Sequence, residues 1–189
     1  MSKKILYIIA ISIAFFSSTE LGAEKRLDKE IRTKIEAPVE EVTEEATEEV
    51  SEAEKAAAEM AQRNRIIEQA FKHIGKRYRH GTAGPYTFDC SGFTSYVFGK
   101  EDIDLSRCSR TQYTQGEAIK SIDNLRRGDL VFFSGRKISR SVGHVGIVVD
   151  VAEDGKSFTF VHAACSGVKV DKSTSSYYSR RYIGARRVI

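Results

Sequence analysis

Cysteine, proline and tryptophan are scarce in this 189-residue chain, which has three Cys, two Pro and no Trp. Three cysteines can close at most one disulfide, and none of them forms a CxxC pair, so a disulfide-stapled scaffold and a zinc ribbon are both excluded. The chain also lacks a run of about 20 apolar residues, which excludes a polytopic membrane protein. Ten Phe and eight Tyr nevertheless supply bulky core material, and the length suits one domain with appendages.

The longest apolar run lies at the N-terminus and is typical of an export signal. Lys3 and Lys4 precede residues 5–16, which are apolar but for one serine, and the small-residue stretch Leu21-Gly22-Ala23 is a usable cleavage site. We predict a signal peptide over residues 1–23 and an exported protein, periplasmic or extracellular. A membrane anchor that is never cut is the alternative, and no Cys stands near the end of the segment to carry a lipid.

Residues 24–62 are acidic and poor in apolar side chains. Ten Glu lie within residues 36–59, against a single basic residue, Lys55. Such a segment buries too little apolar surface to offset the entropy of ordering. We predict a linker that is disordered or partly helical, with helix formers concentrated in residues 51–59. The linker either spaces the following domain from a surface or merely keeps the chain soluble.

Residues 63–189 are predicted to form the folded domain, and their charge is opposite to that of the linker. They hold 22 basic and 12 acidic residues, a net charge of +10. A basic domain outside the cytoplasm suits an anionic polymer or surface. Neither a helix-turn-helix pattern nor an aromatic–basic RNA-binding pattern is present, so no nucleic-acid partner is expected.

The hydrophobic period changes along this domain. Apolar residues first recur at helical spacing, and Gly75 is placed to end the first helix. Beyond residue 128 the apolar residues follow the pattern of buried strands. Helices followed by an antiparallel sheet define an α+β domain. The predicted helices are 66–74, 91–98 and 110–118, and the predicted strands are 129–134, 144–151, 157–162, 168–170 and 181–188.

One cysteine stands where a helix is predicted to begin, in the run Asp89-Cys90-Ser91-Gly92-Phe93. The free backbone N–H groups and the dipole at a helix N-terminus stabilise a thiolate, which is the reactive form of cysteine. The same N–H groups can stabilise an oxyanion. Taken alone, however, a lone cysteine is more often a small buried hydrophobe.

Two of the four histidines strengthen the chemical interpretation. His144 begins one predicted strand and His162 ends the next, and a hairpin turn at residues 153–156 joins the two strands. Antiparallel neighbours place the start of the first strand beside the end of the second, so the two rings should lie close together. A base and the group that orients it need that proximity. His73 and His80 are interpreted as structural or surface residues.

With these residues in place, the chain resembles the NlpC-type cysteine peptidases of bacterial cell walls. The resemblance spans nearly all of residues 66–188 and rests on ordered segments that are weak singly and specific together. They are Gly75-Lys-Arg-Tyr78-Arg-His-Gly81, Asp89-Cys90-Ser91-Gly92-Phe93, Leu105-Ser-Arg-Cys-Ser109-Arg-Thr-Gln112 with Gly116, Arg127-Gly128-Asp129-Leu130-Val131-Phe132-Phe133, His144-Val145-Gly146-Ile147-Val148, Val161-His162-Ala163 and Gly184-Ala-Arg-Arg-Val. The chain departs from the family pattern at Gly81-Thr82, where a second glycine is usual, and at Cys108, where serine is usual.

The resemblance implies a papain-like core in which N-terminal helices pack on a small antiparallel β-sheet. It implies that Cys90 is the nucleophile, that His144 is the general base and that His162 is the third polar residue, which orients His144. It implies no metal and no cofactor. Three further residues would support the site: the hydroxyl of Tyr78, the backbone N–H of Ser91 and, as a structural neighbour of the nucleophile, Asp89.

The function implied by the resemblance is hydrolysis of peptidoglycan stem peptides, at the bond between D-glutamate and diaminopimelate. The alternative bond is the D-alanyl–diaminopimelate cross-link, which some stand-alone family members cut. Residues 24–62 are too acidic to fold as an SH3-like targeting domain, which places the chain nearer those members. A non-hydrolytic wall-binding protein or an acyltransferase relative on the same core also stays open. The expected partner is the stem peptide, and the expected state is a monomer.

The two remaining cysteines, Cys108 and Cys165, follow the nucleophile helix and His162, respectively. In an oxidising compartment a close pair would close into a disulfide. Two unrelated buried thiols are the simpler interpretation, because most free cysteines are small core residues, and we expect them.

Overall fold

The computed structural model describes residues 44–189, with side chains from residue 51 onward. The predicted signal peptide and the first part of the predicted linker lie outside the described residues. Residues 49–189 form one compact unit of α+β architecture, as the sequence predicts. Within the part of the chain that the structure describes, no helix is both long enough and apolar enough to cross a bilayer.

Within residues 44–189, three helices and eight strands follow one another. The helices are α1 (Glu44–Phe71), α2 (Cys90–Gly99) and α3 (Ser109–Gln112), and a 3₁₀ turn covers Ile122–Asn124. The strands are β1 (Arg77–Tyr78), β2 (Thr87–Phe88), β3 (Glu117–Ile119), β4 (Leu130–Ser134), β5 (Val142–Val151), β6 (Phe158–Ala164), β7 (Gly167–Lys172) and β8 (Tyr182–Arg187).

Helix α1 joins the acidic stretch to the core. Its last turns bury Ile66, Ile67 and Ala70 completely, which is the apolar stripe that predicted a helix here. The helix covers residues 51–59 as well, and the boundary predicted between residues 62 and 63 falls inside it. Turns then lead to Gly75, whose φ of +81° is a left-handed conformation that glycine adopts without strain.

Six strands form one antiparallel sheet in the order β3-β8-β4-β5-β6-β7. Strand β4 lies at its centre and is buried along its whole length. Its alternate side chains feed two separate clusters, as period-2 alternation requires. Leu130 and Phe132 join the core with α1 and α2, whereas Val131 and Phe133 join a second cluster with Phe160.

The predicted third helix, 110–118, is wrong over its second half. Helix α3 ends at Gln112, and Glu117–Ile119 instead pairs with β8 as an edge strand. Gly116 takes φ +69° between the two elements, and a Cβ built on it would come within 2.1 Å of the Arg187 carbonyl oxygen. The local helical spacing therefore yields to pairing with a strand about 70 residues later.

A buried carboxylate joins α1 to the sheet. Asp129 is fully buried and pairs with Arg63 of α1, at 3.4 Å, and with Arg187 of β8, at 2.8 Å. Arg63 also donates to the Arg127 and Ile189 carbonyls. Breaking a buried ion pair leaves an uncompensated charge, so this contact fixes where α1 sits.

These contacts predict how the chain tolerates truncation. Removal of residues 1–62 should leave a domain that unfolds cooperatively. The ion pair that anchors α1 is made by Arg63, and the preceding side chains are largely exposed, with one long hydrogen bond from Gln62 to the Glu101 carbonyl. We expect a loss of less than about 2 kcal/mol in the free energy of unfolding, measured by urea denaturation. Arg63→Ala in the full chain is the control and should cost more. A broad, non-cooperative transition of the truncated protein would contradict the prediction.

Candidate active site

The cysteine singled out by the sequence is the first residue of α2, which the sequence predicts to begin there. Asp89 caps this helix: it has extended backbone angles, and its side-chain Oδ1 accepts from the Gly92 N–H at 2.8 Å. The backbone N–H groups of Ser91 and Val145 approach the Cys90 sulfur and favour its thiolate. Val145 directly follows His144, so the thiol lies beside the strand that carries the predicted base.

A charged clamp fixes the start of this helix. Arg107 binds Asp89 with both terminal nitrogens, at 2.8 Å to Oδ1 and 2.5 Å to Oδ2. The Gly81 N–H donates to the same carboxylate at 2.7 Å. Burial alone would raise the pKa of Asp89, but Arg107 and the backbone donors of Gly92 and Gly81 outweigh it and hold the pKa below its usual value. The carboxylate is thus fully engaged and supports the helix rather than acting as a base.

The hairpin brings the two predicted histidines together. His144 Nε2 and His162 Nδ1 lie 2.8 Å apart, with the rings nearly perpendicular. The register pairs Ile147 with Val161, so the residue opposite His162 is Gly146. A Cβ on Gly146 would meet the Phe160 ring at 2.7 Å and the His162 Cβ at 3.1 Å. Because Gly146 has no side chain, the space opposite His162 stays open, and the ring of His144, two residues earlier, can reach the His162 ring diagonally.

Behind His162 lies an acid that the sequence analysis did not identify. Asp171 of β7 places Oδ2 2.9 Å from His162 Nε2, and the Lys169 ammonium lies 2.9 Å from the same oxygen. The Tyr178 hydroxyl is 3.4 Å from His162 Nε2. The tight turn between β6 and β7 pairs Ala164 with Gly167, and that register puts Asp171 opposite Phe160, two residues from His162. If the β6–β7 register had been assigned from this turn, it would have predicted that Asp171 lies near His162.

Burial sets the protonation state of the site. It lowers the pKa of His144 to about 3, helped by the charge of His162, and lowers that of His162 to about 4. Burial and the Asp89 charge raise the pKa of Cys90, despite the backbone donors. The sequence-based expectation of a lowered thiol pKa is therefore wrong, because desolvation outweighs the helix N-terminus. At neutral pH the site holds a neutral thiol and neutral imidazoles.

The two other predicted site residues lie next to the thiol. Tyr78 in β1 is half-buried, and its pKa is raised by burial and then by the charges of Cys90, Asp89 and Cys165. The Ser91 hydroxyl is turned away and donates to the Arg107 carbonyl at 2.8 Å, so only its backbone faces the thiol.

A buried amide, which the sequence analysis did not single out as a site residue, ties the nucleophile helix to the following loop. Gln112 donates to the Ser91 carbonyl at 3.1 Å and to the Ser106 carbonyl at 2.6 Å, and it accepts from the Thr94 hydroxyl at 2.8 Å. Its side chain is fully buried. This amide holds the segment that carries Arg107 against α2.

All three cysteines are free, as expected, but the expected burial of Cys108 and Cys165 is wrong, because both side chains are exposed. Cys108 is exposed, and the backbone N–H groups of Arg110 and Thr111 lower its pKa. In contrast to the metal sites of many hydrolases, no group of three His, Cys, Asp or Glu in the described residues could hold a metal ion.

These environments predict the order of thiol alkylation. We expect iodoacetamide at neutral pH to label Cys108 at least about tenfold faster than Cys90, because the Cys108 thiolate is stabilised and exposed while the Cys90 thiolate is desolvated. Peptide mass mapping over time gives both rates in one sample, and Cys108→Ser removes the fast site as a control. Faster labelling of Cys90 would show that its thiolate forms in spite of burial.

The comparisons with known proteins all point to one family. The model of the NlpC/P60 family matches residues 75–187. The chain is 42% identical over 123 residues to the "Probable endopeptidase p60" of Listeria welshimeri, covering 65% of this chain and 22% of that protein. It is 36% identical over 129 residues to the "Murein DD-endopeptidase MepS/Murein LD-carboxypeptidase" of Escherichia coli K12, covering 67% of this chain and 63% of that protein. The chain thus spans about a fifth of the p60 length.

A solved structure shares the fold. It is the crystal structure of a protein similar to a lipoprotein, of the NLP/P60 family, from Staphylococcus aureus. The TM-score is 0.60 and the identity 33%, over 68% of this chain and 42% of that one.

Proposed function

This chain belongs to the NlpC/P60 family, and on that premise we propose that it is a cysteine endopeptidase that hydrolyses peptidoglycan stem peptides. One observation carries the proposal. The Cys90 thiol, at the start of α2, lies beside the β5 backbone next to His144, and His144 is hydrogen-bonded to His162. A nucleophile, a base and an orienting group are the parts that acyl transfer through a cysteine needs.

In the proposed mechanism Cys90 attacks the scissile carbonyl carbon and His144 takes the thiol proton. Both groups are neutral at rest, so the proton leaves sulfur as the sulfur–carbon bond forms. The C–N bond then breaks, and the proton on His144 passes to the leaving amine. A water molecule deprotonated by His144 hydrolyses the thioester and restores the thiol. His162 holds His144 in position during both transfers.

The oxyanion of each tetrahedral intermediate needs donors fixed in advance. We assign this role to the backbone N–H of Ser91, with the Tyr78 hydroxyl as a neighbouring donor. The clamp between Asp89 and Arg107 keeps the helix start, and with it the Ser91 N–H, in place. Asp89 is thus a supporting residue in this mechanism.

For the scissile bond we propose the amide between D-glutamate and diaminopimelate. The relative named murein DD-endopeptidase, of which the chain covers 63%, favours a second candidate, the D-alanyl–diaminopimelate cross-link. We further propose that the protein is exported and acts on the wall as a monomer. The net charge of +10 on residues 63–189 suits a substrate that carries free carboxylates.

Purified muropeptides distinguish the bonds. The full chain is incubated with monomeric and with cross-linked muropeptides, and the products are weighed by mass spectrometry. Cleavage at D-glutamyl–diaminopimelate splits the monomers, whereas cleavage of the cross-link leaves monomers intact and turns each dimer into two. Products that carry an added acyl acceptor instead of water would indicate a transferase. No change in any muropeptide, with Cys90 intact by mass, would refute the proposed function.

A further inference from the structure

Asp171 is the last member of a hydrogen-bonded chain that begins at His144. The chain runs from His144 Nε2 to His162 Nδ1, at 2.8 Å, and from His162 Nε2 to Asp171 Oδ2, at 2.9 Å. His162 is completely buried in the middle, while the Asp171 side chain is 23% exposed. Three side chains from three adjacent strands are thus linked through both nitrogens of the central ring.

The acid determines which nitrogen of His162 carries the proton. Burial would raise the pKa of Asp171, but its hydrogen bonds with Lys169 and His162 keep the pKa below the usual value, so the group is a carboxylate at neutral pH. A carboxylate only accepts hydrogen bonds. His162 Nε2 must therefore donate, and in a neutral imidazole the other nitrogen, Nδ1, is then an acceptor.

The same logic fixes His144. Because His162 Nδ1 accepts, His144 Nε2 must donate across the 2.8 Å contact. A neutral His144 with its hydrogen on Nε2 has its lone pair on Nδ1. That nitrogen is the one left to receive a proton.

We propose that Asp171 is a positioning residue that sets the tautomers of both histidines and so leaves Nδ1 of His144 as the acceptor of the Cys90 proton. The inference rests on the proposed function for its catalytic consequence, whereas the tautomers themselves can be observed without turnover.

A second group, the Tyr178 hydroxyl, is placed to pair with His162 when the acid is removed. The Tyr178 hydroxyl lies 3.4 Å from His162 Nε2 and is buried with it. With Asp171 gone, this O–H is left as the partner of Nε2 and donates to it. His162 then carries its hydrogen on Nδ1 and donates to His144 Nε2, so His144 carries its own hydrogen on Nδ1. In that arrangement His144 cannot take the thiol proton.

The first test compares four variants at or beside the acid. We expect Asp171→Ala to lower kcat about 10- to 100-fold with little change in KM, the usual range for a residue that orients a catalytic group. Asp171→Asn keeps an oxygen that accepts from His162 and should stay within a few-fold of the parent. Lys169→Met removes the other partner of Asp171 and no hydrogen bond of either ring, so it serves as the matched control for kcat. Asp171→Ala/Tyr178→Phe removes the competing donor and should regain part of the lost rate.

The second test reads the tautomers directly. The chain has four histidines, so ¹⁵N-histidine NMR spectra of the full chain can be assigned by substitution. We expect hydrogen on Nε2 of His144 and His162 in the parent and in Asp171→Asn, and a shift towards Nδ1 in Asp171→Ala.

The pH profile supplies a third measurement, since the charges that face the two rings are those of Asp171 and Lys169. Tyr178 and the Cys90 thiol are the other titratable neighbours. The Asp171 charge raises the pKa of both histidines, and the Lys169 charge lowers that of His162. Asp171→Asn should therefore move the acid limb of kcat/KM to lower pH, and Lys169→Met should move it to higher pH. A substitution that affected only the fold would leave the acid limb of kcat/KM at the pH of the parent.

Parent-like tautomers and kcat in Asp171→Ala would overturn the inference, as would a parent protein with its hydrogen on Nδ1 of His162. If the parent shows the expected tautomers but leaves every muropeptide uncut, the proposed function fails and the tautomer assignment stands.

Discussion

Loss of the Cys90 thiol is expected to reduce muropeptide hydrolysis by about 10³-fold or more, because the covalent step has no other nucleophile. In Cys90→Ser the hydroxyl is far less acidic than the thiol and is a poorer nucleophile, so it replaces the thiol badly beside a base placed to take a thiol proton. Cys90→Ala should lose as much activity as Cys90→Ser, since the other groups of the proposed site can only bind and polarise the substrate. Product formation is measured by mass spectrometry under single-turnover conditions.

Two controls separate chemistry from folding. Cys90 is the first residue of α2 and the Asp89 cap uses no atom of its side chain, so Cys90→Ala should melt within a few degrees of the parent. Cys108→Ala and Cys165→Ala remove exposed thiols and should keep full activity. Appreciable turnover by Cys90→Ala would show that the nucleophile is assigned to the wrong residue.

The sequence alone could predict which candidate residues lie together, because their placement depends on local pattern. Cys90 begins a helix whose apolar spacing is clear, and a hairpin turn fixes which ends of two strands adjoin. The distance of 2.8 Å between His144 and His162 follows from that connection. The edge strand Glu117–Ile119 could not be predicted in the same way, because its partner, β8, lies about 70 residues later. Local helical spacing competes there with a contact that only the folded chain makes.

The charge contacts and pKa shifts of the site could not be predicted from the sequence for a related reason. Asp89 meets Arg107 across 18 residues, and Asp171 reaches His162 only once the β6–β7 register is known. The direction of the Cys90 pKa depends on how much water the fold excludes from the thiol. Helix position predicts a lowered pKa, and burial reverses it. Residue types at a spacing therefore identified the chemical groups, while tertiary packing determined their protonation.

A second large effect is expected at His144. Cys90 and His144 act as one unit in proton transfer, so His144→Ala should lose nearly as much activity as Cys90→Ala. The double variant Cys90→Ala/His144→Ala should lose little more than either single one, because removing one member already disables the step. The cycle is completed by measuring the rates of the parent, the two single variants and the double variant on the muropeptides that the parent cleaves. Losses that multiply would mean that the two residues act independently.

His162 should be the milder position, since it orients His144 and transfers no proton to the substrate. Its side chain is completely buried and contacts His144, Asp171 and Tyr178. His162→Ala therefore leaves a cavity, removes the orienting partner of His144 and leaves Asp171 with Lys169 alone. His162→Gln keeps polar atoms in that space and is the better probe. We expect it to lower kcat about 10- to 100-fold while the melting temperature changes little. A His162→Gln variant as inactive as His144→Ala would mean that the second imidazole takes part in the proton transfer, and a fully active His144→Ala would remove the base from the mechanism altogether.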